Sequence, residues 1–362
     1  MPEEKISGVQ AVVLLFLSRA FQTLNYIPAF HDAPDGMSTL WGTGVALVIE
    51  LLILIPALLL EQRYRGQNVI TVGYNRWKPL GMIFALLYAF TMLLQLVGSL
   101  AGFEYFLTNA VYPNSSAVFI VLTMCAACFW AAGRGLEGLG RAAGIVFVFF
   151  LLSVLLISGA SMSSIDMLNV RPSLDNPLGS AFRAGIISVS KTSEIFLLLL
   201  LFPKIKGNKT KCAFGLTISV FLFDLVTSFL LLAVLGKFGQ TQTFPYYTLA
   251  SVSDVFIFQR LDSLHMAIWT FITFLRLTLL IGLIVYCMKM VLPMKTHKAV
   301  LPVLFVVTVG ASIWLSYSTA ILEASNLNTS ILVVLLTAIL PLSMLLLPAA
   351  RQKHPQEGDT LI

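Results

Sequence analysis

The chain has 362 residues, of which 58% are hydrophobic and 11% charged, with a net charge of +6. Soluble domains are typically about 25% charged and 45–50% apolar, so an ordinary globular enzyme is excluded. At about 20 residues per membrane-spanning helix, this composition supplies on the order of ten spans and little else.

Ten apolar segments follow one another, at 9–30, 39–60, 79–107, 115–132, 142–163, 184–203, 213–236, 263–287, 299–320 and 328–348. They predict an all-α polytopic membrane protein occupying 1–362 as one integral domain, since no connection is long enough for a separate fold. The first span follows an acidic start, Met1-Pro-Glu-Glu-Lys5, with no small-residue cleavage site after it, and is expected to be retained rather than removed as a signal peptide. Its second half carries Arg19, Gln22, Thr23 and Asn25 and closes on Pro28. Arg19, Gln22 and Thr23 share one helical face.

The second span places Glu50 at its centre, and the third carries Gln95 and Ser99 one turn apart, with Glu104 near its outer end as an expected interfacial carboxylate. In the fourth, Cys125 and Cys128 form a C-x-x-C with no histidine or second cysteine pair nearby; small residues at a helix contact are expected there, not a redox or zinc site. The glycine-rich stretch Gly133–Arg141 lacks the strand and the Gly-Lys-Ser/Thr ending of a phosphate loop, and is expected to be a flexible connection. The sequon-like triplets starting at Asn114, Asn208 and Asn328 carry no weight in short polar loops.

The sixth span contains the most polar intramembrane stretch, Ser188-Val-Ser-Lys-Thr-Ser-Glu194. Lys191 and Glu194 lie three apart and are expected to partly neutralise each other. Ser188, Ser190, Thr192 and Ser193 are suited to the backbone groups opened by a helix break. Asp224 sits near the middle of the seventh span, and Thr273 and Arg276 near the middle of the eighth. A central charge costs roughly 2.5–3.5 kcal/mol on insertion scales. Seven unpaired ones would cost about 20 kcal/mol, more than the net stability of most proteins. Arg19, Glu50, Glu104, Lys191, Glu194, Asp224 and Arg276 must therefore pair, face a wet cavity or reach the interface.

Spans one and six are the two interrupted by polar residues, and they occupy corresponding positions in two five-span halves of opposite orientation. That pattern predicts an inverted 5+5 repeat with a midplane site between the two helices. The expected ligand-binding set is Arg19, Gln22, Thr23, Gln95, Ser99, Ser188, Lys191, Thr192, Glu194, Thr273 and Arg276, with Glu50 and Asp224 as ion-coupling candidates. His31, His265, His297 and His354 are scattered without ligand spacing, and no serine stands in a nucleophile motif. No cofactor, metal or enzymatic activity is therefore expected.

With the N-terminus inside, the inner connections carry 16 of the 23 Lys and Arg residues. The outer ones hold only Arg171, Arg183, Lys237 and Arg260. This bias predicts both termini in the cytoplasm and places the +6 beside anionic lipid headgroups. No basic cluster is interleaved with aromatics as a nucleic-acid face requires.

Three stretches resemble a known family. Ile6-Ser-Gly-Val-Gln10 running to Pro28 is similar to its start, and Phe103-Glu-Tyr-Phe106 with Pro113 to the end of its third span. Phe244-Pro-Tyr-Tyr247, then Phe256-Ile-Phe-Gln-Arg-Leu-Asp262 and Trp269, are similar to its approach to span eight. The family is that of the endospore germination permeases, the B-type subunits of germinant receptors, within the amino acid–polyamine–organocation superfamily. The resemblance implies a LeuT-like fold, the inner membrane of a bacterial spore, and A-type and lipoprotein C-type partner subunits. It also implies a small nutrient germinant, often an amino acid, bound among spans one, three, six and eight, and signalling to ion release. Transporters of this superfamily usually carry glycine where span one unwinds; Ala20–Asn25 has none, so recognition here is expected to rest on side chains. The alternative reading is a proton- or sodium-coupled amino acid transporter, with Glu50, Asp224 or the Lys191–Glu194 pair carrying the coupling. A third is a channel-forming scaffold without a ligand of its own. A zwitterion, a carboxylated sugar and a purine base all suit a pocket of this composition.

Overall fold

In the computed structural model, residues 5–25, 36–170, 177–190, 194–253, 261–293 and 297–346 are described. After a two-residue strand β1 (Ile6–Ser7), the first helix α1 spans Gly8–Asn25. The next two are α2 (Gly36–Arg63) and the short α3 (Val69–Arg76). Then come α4 (Lys78–Phe106), α5 (Ala117–Ala132) and α6 (Gly135–Ser161). The sixth span is described as α7 (Pro177–Ser190) and α8 (Glu194–Leu201), followed by strand β2 (Ile205–Lys206). The remaining helices are α9 (Lys209–Leu230), α10 (Gly236–Gln240), α11 (Pro245–Val252), α12 (Asp262–Val291), α13 (His297–Ser316) and α14 (Thr319–Leu346). Among the described residues, eight helices are long and apolar enough to cross a membrane. With α1 and α5 they make ten helical units in chain order.

These helices are inside-out by the standard of a soluble bundle. Trp41, Phe149, Leu155 and Val306 are exposed, whereas Arg19, Glu50, Gln95, Glu194 and Arg276 are buried. Apolar side chains lose nothing by facing lipid, and polar ones must find partners within the bundle. Pro56, Pro302 and Pro341 lie inside α2, α13 and α14, as membrane helices tolerate. Side-chain caps mark where the chain leaves one helix for another. Asn68 forms a reciprocal capping box with Thr71 at α3, and Ser116 and Asn208 cap α5 and α9, each satisfying amide groups no helix bond can reach.

Small residues set how closely helices approach. Along the α2–α7 contact, a Cβ on Gly185 would lie 2.6 Å from Val45 and one on Gly42 2.7 Å from Ala184. Neither position has room for a side chain. At one end of the bundle, β1 pairs in parallel with β2, Ile6 opposite Ile205 and Ser7 opposite Lys206. There too Lys209 pairs with Glu61 at 2.9 Å, Arg63 donates to the Leu345 carbonyl at 2.8 Å, and a Cβ on Gly140 would meet Gln10 and Ile6. Tertiary packing thus gathers several of the basic connections at a single end.

Two expectations are corrected here. The glycine-rich stretch Gly133–Arg141 is not a flexible connection: α6 begins at Gly135, leaving two turn residues after α5. Its later glycines alternate with Leu136, Glu137 and Leu139, and Glu137 pairs with Arg141 one turn on at 2.6 Å, which supports the helix. The polar half of span one does not interrupt it either. Regular helix runs to Asn25, because Ala20, Phe21 and Leu24 are compatible with helix and the polar side chains find partners on neighbouring helices. Pro28 lies outside the described residues.

Candidate functional site

The site is built outward from α1. Arg19 on this helix donates to Asp224 of α9 at 2.7 Å and to Gln22 one turn along at 3.3 Å. Thr23 donates to the other Asp224 oxygen at 2.7 Å. One helical face thus fixes both oxygens of a carboxylate on a helix two hundred residues away. Asp224, expected as a separate ion-coupling group, is joined directly to the predicted ligand-binding residues of span one. Glu50 of α2 is buried, 4% exposed, and its charge acts on Arg19, as does that of Glu194.

Arg276 lies midway along α12 and its side chain is fully enclosed. It donates to Ser99 Oγ at 3.1 Å, Gln95 Oε1 at 3.2 Å, and both the Ser18 carbonyl and hydroxyl at 2.9 Å. Its contact with Glu194, the first residue of α8, is longer at 3.5 Å. The guanidinium also stands 5.5 Å over the Phe21 ring. Five hydrogen-bond donors in a planar fork allow one residue to tie α1, α4 and α8 to α12.

Beside this polar group stands an aromatic wall. Trp269 is 1% exposed, stacked between Phe21 at 5.3 Å and Phe103 at 5.4 Å, with Phe106 edge-on at 4.6 Å. Its indole N–H donates to the Phe21 carbonyl at 3.2 Å. The wall covers the polar cluster and raises the cost of any charge left unpartnered there.

The predicted site residues divide clearly. Arg19, Gln22, Thr23, Gln95, Ser99, Glu194 and Arg276 converge, with Asp224 and Glu50 added. Thr273 is buried at 0% exposure, but its hydroxyl is turned back onto the Trp269 carbonyl at 2.8 Å. Ser188 is half-buried on α7 and shows no hydrogen bond to the cluster among the described residues. Lys191 and Thr192 lie outside the described residues; within them Glu194 pairs with Arg276. Glu104, expected at the interface, is buried at 4% exposure, and the chain continues past it as a π-helical turn over Leu107–Val111. Sequence reading missed Ser18, although it adjoins Arg19, because a serine facing a distant arginine has no sequence mark of its own. It also missed the Phe21–Trp269–Phe103 stack, whose members read as ordinary apolar residues.

Among the described residues, no group of three His, Cys, Asp or Glu side chains is gathered as a metal set. Cys125, Cys128 and Cys287 are buried free thiols, and Cys128 lies 3.8 Å from the Phe274 carbonyl of α12, at a helix contact.

Residues 41–321 match the sequence profile of a family described as "Spore germination protein". The chain belongs to the spore germination protein family. Spore germination protein YndE of Bacillus subtilis (strain 168) is 23% identical over 286 residues, covering 74% of this chain and 76% of its own length. Two solved structures share the fold at 13% identity. One is a Na+-coupled sialic acid symporter in a substrate-bound, outward-open state, with a TM-score of 0.64 over 93% of this chain and 80% of that one. The other is MhsT in complex with L-phenylalanine, with a TM-score of 0.64 over 93% and 89%. This spore germination family member is therefore a multi-pass membrane protein with the LeuT fold of inverted five-helix repeats. The family match begins at residue 41, beyond α1, which contributes Ser18, Arg19, Gln22 and Thr23 to the cluster.

Proposed function

We propose that this protein is the membrane B-type subunit of a nutrient germinant receptor, binding a small zwitterion, an amino acid, in the cluster between α1, α4, α8, α9 and α12. The observation that carries the reading is the enclosure of Arg19 and Arg276 with Glu194 and Asp224 midway through the bundle. Buried ionisable groups at this depth are costly and mark ligand or ion pathways. Two guanidinium groups suit a ligand carboxylate and the acidic side chains suit an ammonium. Gln95 Nε2, buried and without an acceptor among the described residues, is a donor that a bound carboxylate would satisfy. The aromatic wall would exclude water from the complex.

In this reading the protein is not an enzyme, takes no cofactor, and resides in the inner spore membrane with both termini in the cytoplasm. The end that gathers Arg63, Lys206 and Lys209 faces inward. A- and C-type subunits would receive the signal. Ligand binding can signal only by favouring one of two conformations. Helix α1 is placed to report it, because it touches the cluster and is joined through β1 to β2 at the end of α8.

The test is the nutrient response of spores carrying Glu194→Gln or Asp224→Asn, with protein levels verified by immunoblot. Loss of the response at normal levels is expected; a wild-type response from both variants overturns the pocket. The transporter reading is favoured by the fold shared with a Na+-coupled symporter and by the partial exposure of Asp224, 16% at its side chain. Concentrative amino acid uptake in proteoliposomes would establish it. Saturable binding without uptake would establish the receptor.

A further inference from the structure

The helices α1 and α8, which meet the charged cluster from opposite repeats, are joined beyond it by the β1–β2 ladder at the basic end of the bundle. Between the cluster and that end, two aromatic contacts hold α8 to its neighbours. Phe196, just past Glu194, stacks on Tyr88 of α4 with ring centroids 4.1 Å apart and an 11° angle between the planes, and both residues are fully buried. Farther along, the Lys204 ammonium, in the turn that follows α8, stands 5.3 Å from the centroid of the Tyr286 ring of α12. Tyr286 lies about 15 Å beyond Arg276 along that helix. Its hydroxyl accepts from Asn68 Nδ2 at 3.0 Å. Asn68 is 1% exposed, and its amide oxygen is engaged by the backbone N–H and hydroxyl of Thr71 at the start of α3, which leaves the NH2 group directed at the tyrosine. The Tyr88 hydroxyl differs. It is buried and has no hydrogen-bond partner among the described residues.

We propose that Tyr286 is the latch of a gate that closes the basic end of the bundle below the charged cluster. Its ring holds the end of α8 through Lys204, its hydroxyl fixes that ring to α3, and the Tyr88–Phe196 stack forms a second layer above. Opening moves α8 and the attached ladder away from α12, separates Lys204 from Tyr286 and unstacks Phe196. One cation–π contact and one hydrogen bond are weak enough to be released by a ligand that favours the open form. The two tyrosines carry opposite expectations. Tyr286→Phe deprives the buried Asn68 Nδ2 of this acceptor while the gate is closed, and water reaches it once the gate opens, so the closed form alone is penalised. Tyr88→Phe removes a hydroxyl that makes no such bond, and the closed form loses nothing. Cys287, next to Tyr286, is a native reporter: its thiol is free and 0% exposed, within electrostatic reach of Tyr88. The inference goes beyond the germinant reading and does not rest on it, because it concerns the ligand-free protein.

The experiment uses the full chain purified in detergent, well below its unfolding temperature. It measures the rate at which N-ethylmaleimide modifies each native cysteine, by mass spectrometry of the protease digest. Half-buried Cys212 is the reference for an accessible thiol, and buried Cys125 and Cys128 report loosening of the bundle as a whole. Tyr286→Phe and Lys204→Met are each expected to speed modification of Cys287 by about three- to tenfold, the change in open population that one lost hydrogen bond or cation–π contact produces. Cys125 and Cys128 should stay at the wild-type rate, and Tyr88→Phe should leave all four thiols unchanged. Tyr88→Leu, which loses the stack, should speed Cys287 as well. Wild-type rates at Cys287 in both Tyr286→Phe and Lys204→Met overturn the proposal. So does acceleration of Cys125 and Cys128 in step with Cys287, which is general destabilisation, or an effect of Tyr88→Phe equal to that of Tyr286→Phe. If Tyr286→Phe fails to fold, Lys204→Met, at a half-buried position, decides alone.

Discussion

Arg19 and Asp224 stand 205 residues apart in sequence and 2.7 Å apart in the fold, with side-chain exposures of 5% and 16%. Each is an ion that a membrane would reject, and each is what makes the other tolerable. The pair draws the first helix of one repeat against α9 of the other, and the Thr23 hydroxyl takes the remaining carboxylate oxygen.

Removing one member of the pair is expected to cost more than removing both. Breaking a fully buried pair costs about 3–5 kcal/mol. The exposure of Asp224 discounts this, so Asp224→Ala is expected to lose about 2–3 kcal/mol. Arg19→Met/Asp224→Leu should lose less than the sum of the single variants, because neither charge is then left alone. Thermal unfolding of the four proteins in one detergent gives the coupling directly, and strict additivity would show that the contact carries no energy.

Glycine at the α2–α7 contact is a packing requirement that can be tested one residue at a time. Gly185→Ala brings a methyl to 2.6 Å from Val45 and should destabilise by about 1–3 kcal/mol. Gly44→Ala, on α2 but off the contact, is the control, with nothing within 4 Å of the new Cβ. It is expected to be neutral or to stabilise by up to about 1 kcal/mol through helix propensity. Equal unfolding temperatures for the two variants would contradict the close approach.

Trp269 combines ring packing with one hydrogen bond, and two substitutions separate them. Trp269→Phe keeps a ring between Phe21 and Phe103 but drops the N–H donated to the Phe21 carbonyl, at an expected cost of about 1–2 kcal/mol plus the smaller ring's lost contacts. Trp269→Ala opens a cavity and is expected to cost about 3–5 kcal/mol. If the two variants unfold alike, packing contributes little and the hydrogen bond carries the residue's effect.

The β1–β2 ladder can be tested by covalent trapping. Strand neighbours lie about 4.8 Å apart, within the Cα separation a disulfide accepts. In a background lacking Cys125, Cys128, Cys212 and Cys287, Ser7→Cys with Lys206→Cys should cross-link under mild oxidation, while Val9→Cys, 74% exposed, with Lys206→Cys should not. Mass spectrometry of the protease digest identifies the link. If this end must open for signalling, oxidised spores should lose their nutrient response and recover it on reduction.

Much of this molecule is written in the order of its residues. Lipid makes the apolar runs into helices, because no other arrangement satisfies their backbone in the absence of water. The same constraint makes Arg19, Gln95, Glu194, Asp224 and Arg276 conspicuous in the sequence alone, since each is expensive where it stands. The polar stretches of spans one and six, in halves of opposite orientation, carry the inverted repeat. Local pattern misleads where it meets context. The glycines of Gly133–Arg141 suggest a loop, yet helix α6 starts within them, and the polar half of span one is regular helix because partners on α9 satisfy it. Tertiary structure alone decides who meets whom. That Asp224 belongs to Arg19, that Ser18 lies nearer to Arg276 than Glu194 does, and that two residues just before α1 pair with two beyond α8 depend on distances between helices. Chain order fixes the cost of burying a charge, but only packing supplies the partner that offsets it.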